Sequence, residues 1–199
     1  MDSKKALDRV SASLRAGADL RLQLARESGR AIVEAAALII RCLRSGGKVL
    51  LFGNGGSAAD AQHVAAEFVG RFVVERAALP AIALTTDSSI LTAVANDYGF
   101  DRVFARQIEA LGRTNDVAIG LSTSGNSANV LAGVKQARIQ KMKTIGLAGR
   151  DGGTLSGCVD IPITVRCANT ARIQECHIAI CHILCELIEG DLSRTTRNG

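Results

Sequence analysis

Aromatic side chains are scarce in this sequence of 199 residues, which contains no Trp, one Tyr and five Phe. Proteins that bind single-stranded nucleic acid stack the bases on aromatic rings, so this scarcity argues against such a role. The net charge is +5, from 24 basic and 19 acidic residues, but the basic residues are scattered along the chain. We interpret this excess as solvated surface that also attracts anionic substrates.

Long apolar runs are also missing. None approaches the roughly 20 residues that a membrane-spanning helix needs. Charged residues recur throughout the N-terminal segment, so no signal peptide is expected. The resulting expectation is a cytoplasmic protein that has neither a membrane nor a nucleic acid as partner.

The six cysteines form no C-x-x-C pair. In a cytosolic chain they are expected to be small core residues. Cys181 and Cys185 are four positions apart on a predicted helix, which leaves a metal-binding pair as the alternative.

The segment 1–45 is predicted to form two helices ahead of the first strand. Apolar residues recur at helical spacing over positions 7–14 and again over positions 32–43, and two consecutive glycines follow. We expect a hairpin-like helical extension whose apolar faces pack inside the subunit or against another subunit.

Short apolar runs alternate with helical patterns in the rest of the chain. The predicted strands are 48–52, 81–85, 117–121, 143–148 and 161–165. The predicted helices are 57–70, 88–111 with a break near 97–101, 127–140 and 170–189. This alternation predicts one α/β domain over 1–199, a three-layer αβα sandwich around a five-stranded parallel sheet. Ligands of such sheets bind beyond the carboxyl ends of the strands.

The loop after the first predicted strand reads Gly53-Asn54-Gly55-Gly56-Ser57. Glycines let the backbone approach a ligand closely, and the following helix N-terminus presents N–H groups to an anion. We expect Ser57 to cap the helix, with Asp60 three positions further on as in a capping box. The structural alternative is a tight turn with an N-cap and no ligand.

A second polar loop, Ser122-Thr123-Ser124-Gly125-Asn126-Ser127, also joins a predicted strand to a predicted helix. Its hydroxyl and N–H groups suit a phosphate monoester. A polar turn capped by Ser127 is the structural alternative. Both loops belong to the same edge of the sheet, which strengthens the prediction of a phosphorylated ligand.

A dinucleotide site is a competing interpretation. Gly53, Gly55 and Ala58 fit the spacing G-x-G-x-x-G/A after a strand. Asp87, the candidate ribose partner, stands about 30 positions on rather than about 20. Such a site also gives no reason for the second loop.

Histidines and carboxylates supply the candidate acid–base groups. His63 and Glu67 are four positions apart, so they share one helix face beside the first loop and can bind a metal or transfer protons. Gln174, Glu175, His177, His182 and Glu186 lie on the last predicted helix. Burial in the core, or exposure of Glu175 and His177 at a surface or interface, is the alternative.

The strings GNGGSAADAQHVAAEFVGRF, ANDYGF, STSGNSANV and RIQECHIAICHILCELIE resemble those of bacterial phosphoheptose isomerases, a family of sugar-isomerase (SIS) domain proteins. The resemblance implies a flavodoxin-like SIS fold. It also implies the first step of ADP-heptose synthesis for lipopolysaccharide, from D-sedoheptulose 7-phosphate to D-glycero-D-manno-heptose 7-phosphate. A homotetramer with active sites between subunits, and one zinc per subunit, are implied as well.

The same resemblance assigns residue roles. The implied zinc ligands are His63, Glu67, Gln174 and His182. The implied acid–base pair is Glu67 and His182. The implied substrate-binding residues are Asn54, Gly55, Gly56, Ser57, Glu67, Asn96, Asp97, Ser122, Thr123, Ser124, Ser127 and Gln174.

Two alternatives to this enzyme remain open. One is a similar non-catalytic SIS protein that binds the replication initiator DnaA and lacks the glutamate found here as Glu67. The other is an isomerase of a different sugar phosphate. A further expectation concerns geometry. Gln174 and His182, eight positions apart on one helix, are separated by a rise of about 12 Å. If both are ligands, as the resemblance implies, they are predicted to serve one metal from different subunits. The alternatives are that this segment is not one continuous helix, or that one of the two is not a ligand.

Overall fold

The structure is a computed structural model that describes residues 2–195, with side chains described up to residue 193. The strands are β1 (Val49–Gly53), β2 (Ala81–Ala83), β3 (Val117–Ser122), β4 (Lys143–Gly149) and β5 (Ile161–Val165). The helices are α1 (Ser3–Arg44), α2 (Gly56–Val69), α3 (Ser88–Tyr98), α4 (Val103–Leu111), α5 (Ala128–Ile139), α6 (Gly153–Ser156) and α7 (Thr170–Thr195). A 3₁₀ turn, Phe100–Arg102, separates α3 from α4, as the predicted break near 97–101 anticipated.

The five strands form one parallel sheet in the order β2-β1-β3-β4-β5. Strand β1 is buried on both faces because its side chains alternate between two cores. Val49 and Leu51 join a core against α1, α2 and α7, whereas Leu50 and Phe52 join a core beneath α4 and α5. The predicted three-layer αβα sandwich is confirmed, and continuous apolar strands follow from this double burial.

Helix α1 corrects the predicted hairpin-like extension, because residues 3–44 form one continuous helix of 42 residues. Leu20 and Leu24 are buried and continue the helical spacing of apolar residues between positions 7–14 and positions 32–43. Internal glycines, such as Gly17, cost about 1 kcal/mol each in a helix, which the packing of the C-terminal half of α1 on α7 offsets. The N-terminal turns project with their apolar residues exposed.

The strand order sets the position of the candidate site. From β1 the chain continues to β2 on one side of the strand order, and from β3 it continues to β4 on the other side. The space between the carboxyl ends of β1 and β3 is therefore the topological switch point. The loops that follow β1 and β3 are therefore neighbours, as the sequence predicted. None of the helices in residues 2–195 has both the length and the apolar character needed to span a bilayer.

Candidate active site

The first loop is closed by backbone geometry rather than by a serine cap. Gly55, with φ of 55°, is the N-cap residue of α2 and has no side-chain capping bond, while Ser57 lies buried in the first helical turn. The predicted Ser57–Asp60 capping box is therefore wrong: the chain enters the helix two residues earlier, in a conformation that favours glycine. No side chain therefore caps the N-terminus of α2.

Gly56 faces the last helix of the fold. The Gln174 amide lies so close to its Cα that a Cβ at position 56 would collide with it. The structure thus places Gln174 against the first loop, where the predicted substrate contacts are.

The second loop gathers its hydroxyl groups at one point. Ser122 Oγ lies 2.9 Å from Ser127 Oγ and 3.3 Å from Ser124 Oγ. Ser127 is the N-cap residue of α5 but makes no side-chain capping bond, because its hydroxyl turns towards Ser122. Three hydroxyls beside a helix N-terminus form an arrangement that suits a phosphate group.

A buttress behind the second loop fixes its shape. Asn126 Oδ1 accepts hydrogen bonds from both the backbone N–H and the hydroxyl of Thr154, each at 2.9 Å. Gly125, with φ of 68°, packs so tightly against the carbonyl of Gly152 that no side chain fits there. The loop is preorganised, which lowers the entropy cost of binding.

An amide pair that the sequence analysis missed connects the two loops. Asn54 and Asn129 exchange two side-chain hydrogen bonds, and Asn129 is 3% exposed. Its position in the first turn of α5, after a serine-rich loop, is the only signal the sequence offers, and it does not reveal the partner.

The acid–base candidates converge between α2 and α7. His63 Nε2 lies 3.0 Å from His182 Nε2 and 3.5 Å from Glu67 Oε1. The predicted shared face of His63 and Glu67 is confirmed, and His182 joins them from a helix 119 positions along the chain.

The donor types and spacings of this group fit zinc. Two atoms that each lie about 2.0–2.1 Å from a tetrahedral ion are about 3.3 Å apart, and the two observed separations lie on either side of that value. Within residues 2–195, however, no three His, Cys, Asp or Glu side chains form a complete metal-binding cluster. His63 forms one close pair with His182 and another with Glu67. A further donor would be needed to complete a metal site.

Asp60 lies one turn before His63 and was not identified as a site residue from the sequence. Its Oδ2 is buried without a hydrogen-bond partner among the described residues. Burial raises the pKa of this carboxyl group, and the nearby His63 and His182 rings lower it, with burial the larger effect. Asp60 is thus a buried carboxyl group close enough to His63 and His182 to interact with them electrostatically.

Other predicted residues lie outside this group. Asn96 donates a 2.8 Å hydrogen bond to Asp97 at the exposed end of α3, and in the described part of the chain no hydrogen bond joins either residue to the two loops. Glu175 forms an ion pair with Arg172. His177 is fully buried, which is the core alternative rather than the exposed one, and its Nε2 lies 3.2 Å from the Ala148 carbonyl oxygen.

The cysteine pair on α7 belongs to the core. Cys181 and Cys185 are buried, and burial raises the pKa of both thiols, to about 12 for Cys185. These thiols stay protonated at neutral pH, which favours the predicted core role over metal binding.

Comparison with known proteins identifies one family by sequence and by structure. A family model of the SIS domain matches residues 14–149. The phosphoheptose isomerase of Geobacter sulfurreducens is 55% identical over 94% of this chain and 98% of its own length. A solved phosphoheptose isomerase structure from Neisseria gonorrhoeae has a TM-score of 0.88 at 46% identity, covering 93% of this chain and 99% of its own. One from Francisella tularensis has a TM-score of 0.90 at 40% identity, covering 93% and 98%.

Proposed function

Since the chain belongs to the phosphoheptose isomerases of the SIS domain family, we propose that it converts D-sedoheptulose 7-phosphate to D-glycero-D-manno-heptose 7-phosphate. This reaction opens the route to ADP-heptose and the heptose of lipopolysaccharide. The observation that carries the proposal is the convergence of Glu67, His63 and His182 between α2 and α7, two helices that begin at the sheet edge bearing the two loops.

The reaction needs a base, an acid and stabilisation of developing charge. Moving the carbonyl between C1 and C2 requires removal of a proton from the carbon beside it, which gives an enediol. Glu67 takes this proton in our proposal and returns it to the neighbouring carbon, while His182 moves a proton from one oxygen to the other. Ser122, Ser124 and Ser127 hold the phosphate at the far end of the opened sugar, and this remote binding energy positions the reacting carbons.

Zinc is the proposed cofactor. His63, Glu67 and His182 would hold it, with Gln174 as the fourth ligand, and when bound it would polarise the carbonyl oxygen as a Lewis acid. A metal analysis of the purified protein tests this assignment independently of turnover. Zinc content near one per subunit in the wild type, and its loss in His63→Ala, are the expected results.

A homotetramer in the cytoplasm is also proposed, with the active sites at subunit interfaces. Leu7, Val10 and Leu14 are between 56% and 70% exposed on the projecting turns of α1, and they lie on one helical face. An apolar stripe of this kind suits contact with other subunits. Light scattering of the purified protein measures the molar mass of the oligomer in solution. The oligomer of Leu14→Glu should have a lower molar mass than that of the wild type.

The decisive experiment follows aldose formation from sedoheptulose 7-phosphate by NMR. Fructose 6-phosphate serves as the comparison substrate, and Glu67→Gln as the catalytic control. Turnover of the seven-carbon sugar alone supports the proposal. Turnover of the six-carbon sugar instead would favour an isomerase of another sugar phosphate. No turnover of either would favour a non-catalytic protein, which binding to DnaA then tests.

A further inference from the structure

A buried ion pair lies about two helical turns beyond His182 along α7. Glu189, near the end of α7, has a side chain that is 3% exposed, and Arg76, in the segment after α2, has one that is 6% exposed. Arg76 Nε lies 3.3 Å from Glu189 Oε1, although the two atoms are not aligned as a hydrogen bond. Paired charges this deeply buried require several further polar contacts to be tolerated.

Glu189 obtains these contacts from the segment that leaves α2. Its carboxylate accepts hydrogen bonds from the backbone N–H groups of Phe72, Val73 and Val74, at 3.0, 2.7 and 2.8 Å. Burial raises the pKa of Glu189, but these three bonds and Arg76 together outweigh burial, so the pKa lies below its usual value. The carboxylate is therefore charged at neutral pH and fixes three consecutive peptide groups.

Arg76 secures the end of the catalytic helix itself. Its guanidinium donates to the carbonyl oxygens of Glu67 at 2.7 Å, Phe68 at 2.8 Å and Gly70 at 3.2 Å. These carbonyls are among the last of α2, which have no partners within the helix. The residue bearing the proposed base is thus held through its own backbone.

The fixed segment also carries a ring that covers the proposed acid. The Phe72 ring centroid lies 5.6 Å from that of His182, with the planes inclined by 35°. His63 contacts His182 with centroids 5.2 Å apart. His182 is therefore held between a ring on α2 and a ring on the segment that Glu189 binds.

We propose that Glu189 is a positioning residue for the isomerase reaction. Together with Arg76 it fixes the end of α2 beyond Glu67 and packs Phe72 against His182, so that base and acid keep their relative placement. The inference rests on the proposed function of Glu67 and His182. Neither Glu189 nor Arg76 reaches the phosphate-binding loops in this arrangement, so their effect falls on kcat.

The test is Glu189→Gln, compared with a matched change elsewhere. Glutamine has nearly the same volume as glutamate, but its side chain presents one oxygen and an NH₂ group to the three backbone N–H donors. The NH₂ group accepts no hydrogen bond, so the three bonds cannot all be kept. The control is Asp116→Asn. Asp116 is also 3% exposed, pairs with Lys48 and accepts hydrogen bonds from the backbone N–H groups of Lys48 and Arg113, but it lies ahead of β3 and none of these partners belongs to α2, α7 or the segment that Glu189 binds.

Two measurements separate positioning from general destabilisation. Glu189→Gln should lower kcat by about tenfold or more with KM near the wild-type value, whereas Asp116→Asn should keep kcat. The second is the Hε1 resonance of His182 in metal-free protein with ¹³C-labelled histidine, which the Phe72 ring current shifts. Three histidines are present, so the resonance is assignable by substitution. It should move in Glu189→Gln and in Phe72→Leu, and stay in place in Asp116→Asn.

The proposal is overturned if Glu189→Gln keeps the kcat of the control, or if its His182 resonance matches the wild type. If Glu189→Gln does not fold, Arg76→Gln, which removes the other half of the ion pair and keeps the Phe72 ring, decides in the same two measurements. A wild-type protein that fails to isomerise the sugar phosphate would refute the proposed function instead, and the resonance shifts would still decide whether Glu189 positions His182.

Discussion

Asn54 and Asn129 exchange two side-chain hydrogen bonds, 2.8 and 2.9 Å long, and so tie the loop after β1 to the helix after β3. Each amide donates to and accepts from the other, which satisfies half of the bonding capacity of both groups. The two proposed substrate loops are therefore one mechanical unit at the switch point of the sheet.

Replacing Asn129 by Ala should weaken this unit. The Asn54 amide loses both partners, which costs about 1–3 kcal/mol of unfolding free energy, and KM for the sugar phosphate should rise because Asn54 is a proposed substrate contact. Urea unfolding and steady-state kinetics measure the two effects. Gln140→Ala, at the other end of α5, is the control and should leave KM unchanged. An unaltered KM in Asn129→Ala would show that the pair has no part in substrate binding.

Glu67→Gln should remove most of the activity while the fold is kept. General-base catalysis contributes roughly 10²–10⁴-fold, and glutamine has the same shape without the basicity. The kcat of the purified variant measures the loss, and circular dichroism verifies its folding. A variant rate close to that of the wild type would refute the assignment of Glu67 as the base.

Removing the Ser124 hydroxyl should raise KM far more than it changes stability. Ser124 Oγ and Ser127 Oγ lie 3.3 and 2.9 Å from Ser122 Oγ, beside the N-terminus of α5. Inorganic phosphate is the probe: it should raise the unfolding temperature of the wild type and raise it less in Ser124→Ala. Ser45→Ala, an exposed hydroxyl at the opposite edge of the sheet, should retain full protection. Equal protection of all three proteins would exclude this loop as the phosphate anchor.

Mixed oligomers test whether the proposed zinc site spans two subunits. Within one chain Gln174 contacts Gly56, while His182 contacts His63 about two helical turns further along α2. When Gln174→Ala and His182→Ala chains are co-expressed, about a quarter of the sites in a symmetric interface should be intact, and activity should partly return.

The control for this experiment is a mixture of His63→Ala and His182→Ala chains. Because those two residues meet within one chain, each site should lack a ligand and the mixture should stay inactive. If hybrid oligomers of the Gln174→Ala and His182→Ala chains form and remain inactive, the shared site is wrong.

His177 should make the fold sensitive to mild acid. Its complete burial lowers the pKa to about 4, while the bond to the Ala148 carbonyl raises it by less. The unfolded chain, with a histidine pKa near 6.5, therefore binds more protons between pH 6.5 and 4, so stability falls as the pH falls through this window. The contribution lost between pH 7 and 5 is on the order of 2 kcal/mol.

Urea unfolding of metal-free protein at pH 7 and pH 5 measures this effect. His177→Gln should show a smaller loss of unfolding free energy than the wild type over the same interval, at equal protein concentration. The comparison cancels the contributions of His63 and His182, which both proteins share. Identical pH dependence in the two proteins would contradict a buried, neutral His177.

The sequence predicted the sheet and its polar loops because their signals are local. Buried parallel strands are short apolar runs, and strand-to-helix loops carry their own glycines and serines. It did not predict the continuity of α1, because Leu20, Leu22 and Leu24 form an alternating run without a clear helical stripe, and only the burial of Leu20 and Leu24 shows which face packs on the core. Nor did it predict the entry into α2 at Gly55, which depends on a positive φ.

Contacts between distant residues account for what was missed at the site. Glu189 meets Phe72 across 117 positions, and Asn129 meets Asn54 across 75. One sequence contains no signal for such pairs, since a glutamate near the end of a helix has the same pattern whether it faces solvent or three buried N–H groups. The residues that position the chemistry were therefore harder to find than those that perform it.

The pairing of α2 with α7 has a consequence for synthesis on the ribosome. Both substrate loops and the proposed base have been synthesised by the time β3 and α5 are complete. His182 and the positioning residue Glu189 are synthesised only later, with α7. Until α7 docks, the apolar face of the sheet beside α1 and α2 lacks part of its cover. The growing chain therefore exposes apolar surface and lacks the acid–base pair. The docking of α7 covers this surface and completes the pair in one late step.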